Sequence, residues 1–197
     1  MLAAPRPLLS FCLLLAALSH CGPAARPSHV ERIELPRYTP AQAVLFDDQF
    51  HEAVFRQVYW TPDHKLGDRV RLADAVVVAR ITTASEIPSS EGGPDIVVEL
   101  RPWGTPLAGA APEGPVLLTL SPDSPSHRLF RWQKPRLLGR DVVLLIRRYE
   151  QNGEVRVHFR AEPNLQDVHL AIRQAIQQAA YTSSSTQQGP SSDAFSR

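Results

Sequence analysis

The dipeptide Asn152-Gly153 constrains the fold of this chain more than any other pair of residues. A two-residue type I′ turn needs positive φ at both central positions, and Asn-Gly tolerates that better than almost any alternative. The flanks alternate with period two, so the pair predicts a hairpin joining 142–151 to 154–160. With these two residues as the loop, Arg148 faces Val157, Arg147 faces His158 and Tyr149 faces Arg156. Val155, Val157 and Phe159 then share a face with Ile146, Leu144 and Val142, and that face reads as core. Arg156 and His158 are expected to point outward. Val143 and Leu145 lie on the second face and need cover. A helix starting near Leu165 is the natural candidate, because Leu165, Val168, Ile172, Ala175, Ile176 and Ala179 recur at helical spacing. Asn164, with Asp167 three residues on, reads as its cap.

Upstream, Ala75 to Thr83 is rich in β-branched residues and predicts a strand covered on both faces. A loop over 85–95 leads to a strand from Ile96 to Arg101 that ends at Pro102. A long loop over 104–114 precedes a third strand, Val116 to Leu120, and 127–132 reads as a short strand or extended segment. Thr39-Pro40 looks like a helix start with Gln42 at the third position, so 40–58 reads as helix, broken in pattern around Asp47-Asp48. A short helix is expected over 64–73. The sum is a mainly β chain with flanking helices, an α+β class. The expected form is a small antiparallel barrel or curved sheet packed by a C-terminal helix.

The strand "Ala-Asp-Ala-Val-Val-Val-Ala-Arg-Ile" comes first. An extended strand, "Val-Leu-Leu-Thr-Leu" and "Leu-Leu-Gly-Arg-Asp-Val-Val-Leu-Leu-Ile" follow, and a final helix closes the order. It resembles the OB-like barrel of netrin-type and metalloproteinase-inhibitor-type domains and of similar bacterial envelope proteins, over about 70–180. The resemblance implies fold only. Animal members rely on disulfides, which this chain lacks.

At the N-terminus, Arg6 precedes an apolar run of 11 residues, Leu8 to Leu18, followed by Ser19, His20 and Cys21. The run is too short to span about 30 Å of hydrocarbon as a helix. It reads as a secretory signal peptide over 1–20. Leu18-Ser19-His20-Cys21 resembles the bacterial lipobox, where signal peptidase II cuts before a lipidated cysteine. His20 departs from the small residue that the pattern places there. The alternative is plain secretion, with a cut after Ala24 or Ala25. Residues 21–38 read as a tether, 39–181 as one globular domain, and 182–197, rich in Ser, Thr and Gln, as a disordered tail.

Arginine numbers 19 and lysine 2, which fits a high-GC bacterial genome. Formal charge is +1, and removing Arg6 with the leader brings it to zero, so nucleic-acid binding through net charge is not expected. The distribution is uneven. Ala41 to Leu100 holds ten acidic and five basic residues, −5; Ser126 to Arg160 holds nine basic and three acidic, +6. In the second segment Arg128, Arg131, Lys134, Arg136 and Arg140 precede the hairpin, with Trp132 interleaved. Arg147, Tyr149, Arg156, His158 and Arg160 on the hairpin mark the expected ligand or partner surface.

Catalytic and metal motifs do not emerge. His51, His64, His127, His158 and His169 are scattered without the spacing of a helical metal pair. No serine lies in a Gly-x-Ser-x-Gly turn. No cofactor is expected. The sequence therefore predicts a non-catalytic envelope lipoprotein, held by palmitate-type lipid on the periplasmic or surface side of a membrane. Its expected partners are an envelope protein, a glycan or an anionic headgroup. The alternatives are a soluble secreted binding or inhibitor-like module, or an enzyme with an unrecognised site. Cys21→Ser should move the protein from the membrane to the soluble fraction and abolish lipid labelling; an unmodified N-terminus elsewhere in the native protein would overturn the lipobox reading.

Overall fold

The computed structural model describes residues 34–89 and 93–186. The expected leader, Cys21, most of the expected tether and the chain beyond 186 lie outside the described residues. In order, the elements are α1 (Pro40–Ala43), β1 (Gln49–Phe50), α2 (Glu52–Phe55), α3 (Leu66–Leu72), β2 (Ala75–Ile87) and β3 (Asp95–Gly109). Then come β4 (Val116–Leu120), α4 (Pro125–Leu137), β5 (Asp141–Gln151), β6 (Glu154–Pro163) and α5 (Gln166–Thr186). The strands form one sheet in the order β1-β6-β5-β2-β3-β4. It curls into half a barrel, the mainly β, α+β form that the sequence predicts. All ladders are antiparallel except β1, which runs parallel to β6 over two residues.

The hairpin forms in the predicted register, with Arg148 opposite Val157 and Tyr149 opposite Arg156. Asn152 and Gly153 take φ of 55° and 82°, as a type I′ turn demands. Curvature comes from β2, whose ladder with β3 slips between Val76 and Val78 and again between Ile81 and Thr83; such irregularities bend and twist a strand.

Two apolar layers hold the sheet. Inside the curl, residues from all six strands meet α2 and α4, with Phe130, Leu137, Val54 and Phe55 as the helical contribution. Phe50 sits at its centre, edge-on to Phe55, Phe130 and Phe159 at 5.2–6.0 Å between ring centroids. On the opposite face, α5 supplies Val168 and Ile172 and α3 supplies Leu66 and Val70 against Val76, Val143 and Leu145. The C-terminal helix thus covers the second face of the hairpin, as its apolar stripe requires.

Several expectations need correction. The helix over 40–58 is broken: α1 ends at Ala43, and Asp48, at a left-handed φ of 54°, turns the chain into β1 ahead of α2. The segment 127–132 is not extended: α4 runs through it, started by Ser124, whose hydroxyl accepts from the Ser126 N–H, with Pro125 in the first turn. Strand β3 does not stop at Pro102 but continues to Gly109. Past Leu100 it has no β4 partner, so a residue without an N–H is tolerated there. The end of the expected tether is pinned: the N–H of Tyr38 donates to the Glu150 carbonyl and the N–H of Glu150 to the Pro36 carbonyl. Helix α5 also runs beyond Tyr181, to Thr186.

Gly109 pairs with Ala75 at φ +68°, and an added Cβ would lie 2.0 Å from the Asp74 carbonyl oxygen. Gly109→Ala should therefore cost about 2 kcal/mol or more. A thermal melt should show Tm lowered by roughly 5 °C or more for a domain of this size.

Candidate binding surface

The expected surface on the hairpin is largely covered. The side chains of Arg147, Tyr149, His158 and Arg160 project from the face that the N-terminal segment and α5 pack against. Tyr149 is buried beside Phe46, and His158 is buried under Tyr38, whose ring stacks on the imidazole at 3.7 Å, within 4° of parallel. His158 therefore does not face outward. Its Nδ1 lies 2.7 Å from Asp48 Oδ2 and its Nε2 3.3 Å from Gln151 Oε1, so neither ring nitrogen is turned toward a serine. Burial, with Asp48 adding to it, pushes the Tyr38 hydroxyl up to about 12. That hydroxyl stays protonated and donates to the Phe46 carbonyl at 3.3 Å.

The guanidinium groups of this face meet acids from the N-terminal half. Arg160 reaches Asp47 at 3.1 Å and Glu162 at 3.2 Å. Glu162 is buried and also accepts from the Trp60 indole N–H at 2.8 Å. Burial works against the charge on Arg160, yet Asp47 and Glu162 hold its pKa above the ordinary arginine value. Arg147 bonds Asp74 at 2.8 Å, and the same carboxylate accepts from the Arg148 main chain and side chain. Arg156 alone of the expected set is exposed, 3.5 Å from Glu154. The −5 and +6 segments thus complement each other within the fold. Val157, expected in the core, is 40 % exposed. The hairpin tip overhangs the sheet, since β2 pairs with β5 only as far as Ile146.

Among the described residues, a cationic surface remains on α4. Arg128, Trp132 and Arg136 stand at i, i+4 and i+8 on its outer face, and Trp132 is 79 % exposed. Arg128, Lys134 and Arg136 make no ion pair among the described residues, while Arg131 lies 3.4 Å from Glu86. With Arg56, the stripe borders a cleft of about 700 Å³. The opposite side of α4 is anchored. Phe130 and Leu137 enter the core, the Ser126 hydroxyl accepts from the Phe50 N–H at 2.8 Å, and His127 Nε2 lies 2.8 Å from the Pro94 carbonyl. Sequence reading noted these basic residues but missed the helix that aligns them. Ser124-Pro125, a cap followed by a first-turn proline, was the available signal.

Among the described residues no group of three His, Cys, Asp or Glu is placed to hold a metal ion, and no helix is long and apolar enough to cross a membrane. Two further histidines make local contacts: His51 Nδ1 accepts from the Ala53 N–H, and His169 Nε2 lies 2.6 Å from the Asn164 side chain.

Arg160 and Arg156 should respond differently to removal. Arg160→Gln strands Glu162 and should cost about 3 kcal/mol, whereas Arg156→Gln should change stability by less than about 0.5 kcal/mol. Chemical denaturation of the two variants checks this. Compared with protein-family models, curated proteins and solved structures, the chain matches none.

Proposed function

We propose that this protein is a non-catalytic envelope lipoprotein: a binding module fixed to a bacterial membrane through Cys21, with α4 resting on an anionic surface. The observation that carries the reading is the α4 stripe, an exposed tryptophan set one turn from an arginine on either side, with Arg128 and Arg136 unpaired among the described residues. Arginine binds phosphate through a planar fork, and tryptophan favours the headgroup level, where one end of its ring is wet and the other apolar. The 13 residues from Cys21 to Ile33 can reach at most about 45 Å. A lipid at Cys21 would therefore keep the domain within reach of headgroups, and a weak cationic contact would gain from the raised local concentration. An anionic phospholipid is the headgroup this chemistry fits.

The full chain carrying Cys21→Ser, which isolates the protein contact from the lipid, should co-sediment with vesicles of equimolar phosphatidylcholine and phosphatidylglycerol but not with phosphatidylcholine alone. Binding should weaken with salt, because exposed charges are screened beyond about 8–10 Å. Replacing Arg128 and Arg136 by Gln and Trp132 by Ala should weaken it roughly tenfold or more, since each surface cation contributes about 1 kcal/mol near an anionic leaflet. Equal sedimentation with both vesicles would overturn the reading.

A further inference from the structure

The half-barrel is open along one line, between β4 and β6, and this seam has the properties of a strand-binding slot. No ladder joins β4 to β6. Strand β1 covers the outer edge of β6 only at Arg160 and Ala161. Just before that, the Asp48 main-chain N–H donates to the Phe159 carbonyl and the Asp48 carboxylate accepts from the Phe159 N–H, both at 3.0 Å. Phe159 therefore turns both backbone groups toward the outer edge. In an antiparallel ladder this orientation repeats every second residue, so Val157 and Val155 point their N–H and C=O groups the same way. Arg148 agrees: opposite Val157, it gives its N–H to Asp74 rather than to β6. Among the described residues, no strand takes up the Val155 and Val157 edge.

The seam is also apolar where it matters for a strand. Val155 is 63 % exposed, Val157 40 % and, across the opening, Leu117 of β4 62 %. Two cavities of about 790 and 1010 Å³ adjoin here, each bordered by both Leu117 and Val157. An edge of this kind, unbulged and flanked by exposed valines, is a template for another strand.

Charge selects the occupant. Asp95 and Asp123 border one cavity and Glu113 the other, and none of the three makes an ion pair among the described residues. Among the described residues, the guanidinium groups bordering the seam are those of Arg148 and Arg156, which already face Asp74 and Glu154. The rim is therefore acidic. We infer that the β4–β6 seam binds a basic, extended segment of a partner protein, which adds to the Val155–Val157 edge of β6 as a seventh strand. Main-chain hydrogen bonds hold it, aliphatic side chains at alternate positions cover Val157 on the core-facing side, and Lys or Arg between them meet Asp95, Asp123 and Glu113. The two cavities share no residue with the cleft beside Arg128, Trp132 and Arg136, so vesicle binding and peptide binding test different sites.

The probe is a fluorescein-labelled decapeptide alternating Lys with Val, titrated into the full chain carrying Cys21→Ser. Its Glu-Val counterpart is the control. The Lys-Val peptide should bind and the Glu-Val peptide should not. Binding should protect the Val155 and Val157 amides from hydrogen exchange. Val157→Pro removes an outward N–H without touching the β5 ladder; it should weaken binding about tenfold, the worth of one or two backbone hydrogen bonds. Replacing Asp95 and Asp123 by Asn gives a second variant that leaves the strand edge intact and should weaken only the Lys-Val peptide. Three results would each overturn the inference: equal binding of both peptides, protection confined to α4, or a protein that already elutes as a dimer with those amides protected.

Discussion

The fold turns on Asp48. In a left-handed conformation, five residues after α1 ends at Ala43, it swings the chain into β1. Its main chain and one carboxylate oxygen close the edge of β6 at Phe159, and its other oxygen holds His158. A buried N–H without an acceptor costs about 1–3 kcal/mol. One short acidic side chain thus settles the end of a ladder, a histidine and the position of the segment carrying Tyr38 and Phe46. Aspartate suits the post because its short polar side chain tolerates positive φ better than most.

From that clasp the electrostatics follow. The N-terminal acids are laid across the hairpin, where Asp47 meets Arg160 and Asp74 meets Arg147 and Arg148. Buried partners of this kind add little net stability, but losing one of them is costly. The result is a neutralised hairpin, with cations on α4 and acids along the β4–β6 seam that make no ion pair among the described residues. The two surfaces have opposite charge and different shapes, a helix with a projecting tryptophan and an open strand edge.

Much of the architecture was legible because it is local. Asn152-Gly153 specifies its own dihedrals, and a period-two flank leaves one register in which a face is continuously apolar. The stripe in α5 is equally self-evident. The candidate surfaces were less so. The count of +6 between Ser126 and Arg160 is correct as arithmetic but is shared between two elements, one of which the N-terminal half neutralises. Alternation placed His158 and Arg160 opposite Phe159, and they are opposite it; alternation cannot say that Tyr38, Asp47 and Asp48 cover that opposite face. Val157 shows the converse error. It lies on the core side of its strand, yet the strand has run past its neighbours.

The sequence alone determined the hairpin and its register, the apolar helix that covers it, and the mainly β class with flanking helices. These depend on dihedral preference and on which residues alternate, both properties of a short stretch of chain. Tertiary structure decided which charges remain available, because an ion pair between residues about a hundred positions apart exists only once the chain has folded over itself. It also decided where the sheet stays open. The edge at Val155 and Val157 is exposed because β1 ends after two residues, and no local pattern in β6 records the length of a strand that pairs with it from the other end of the domain.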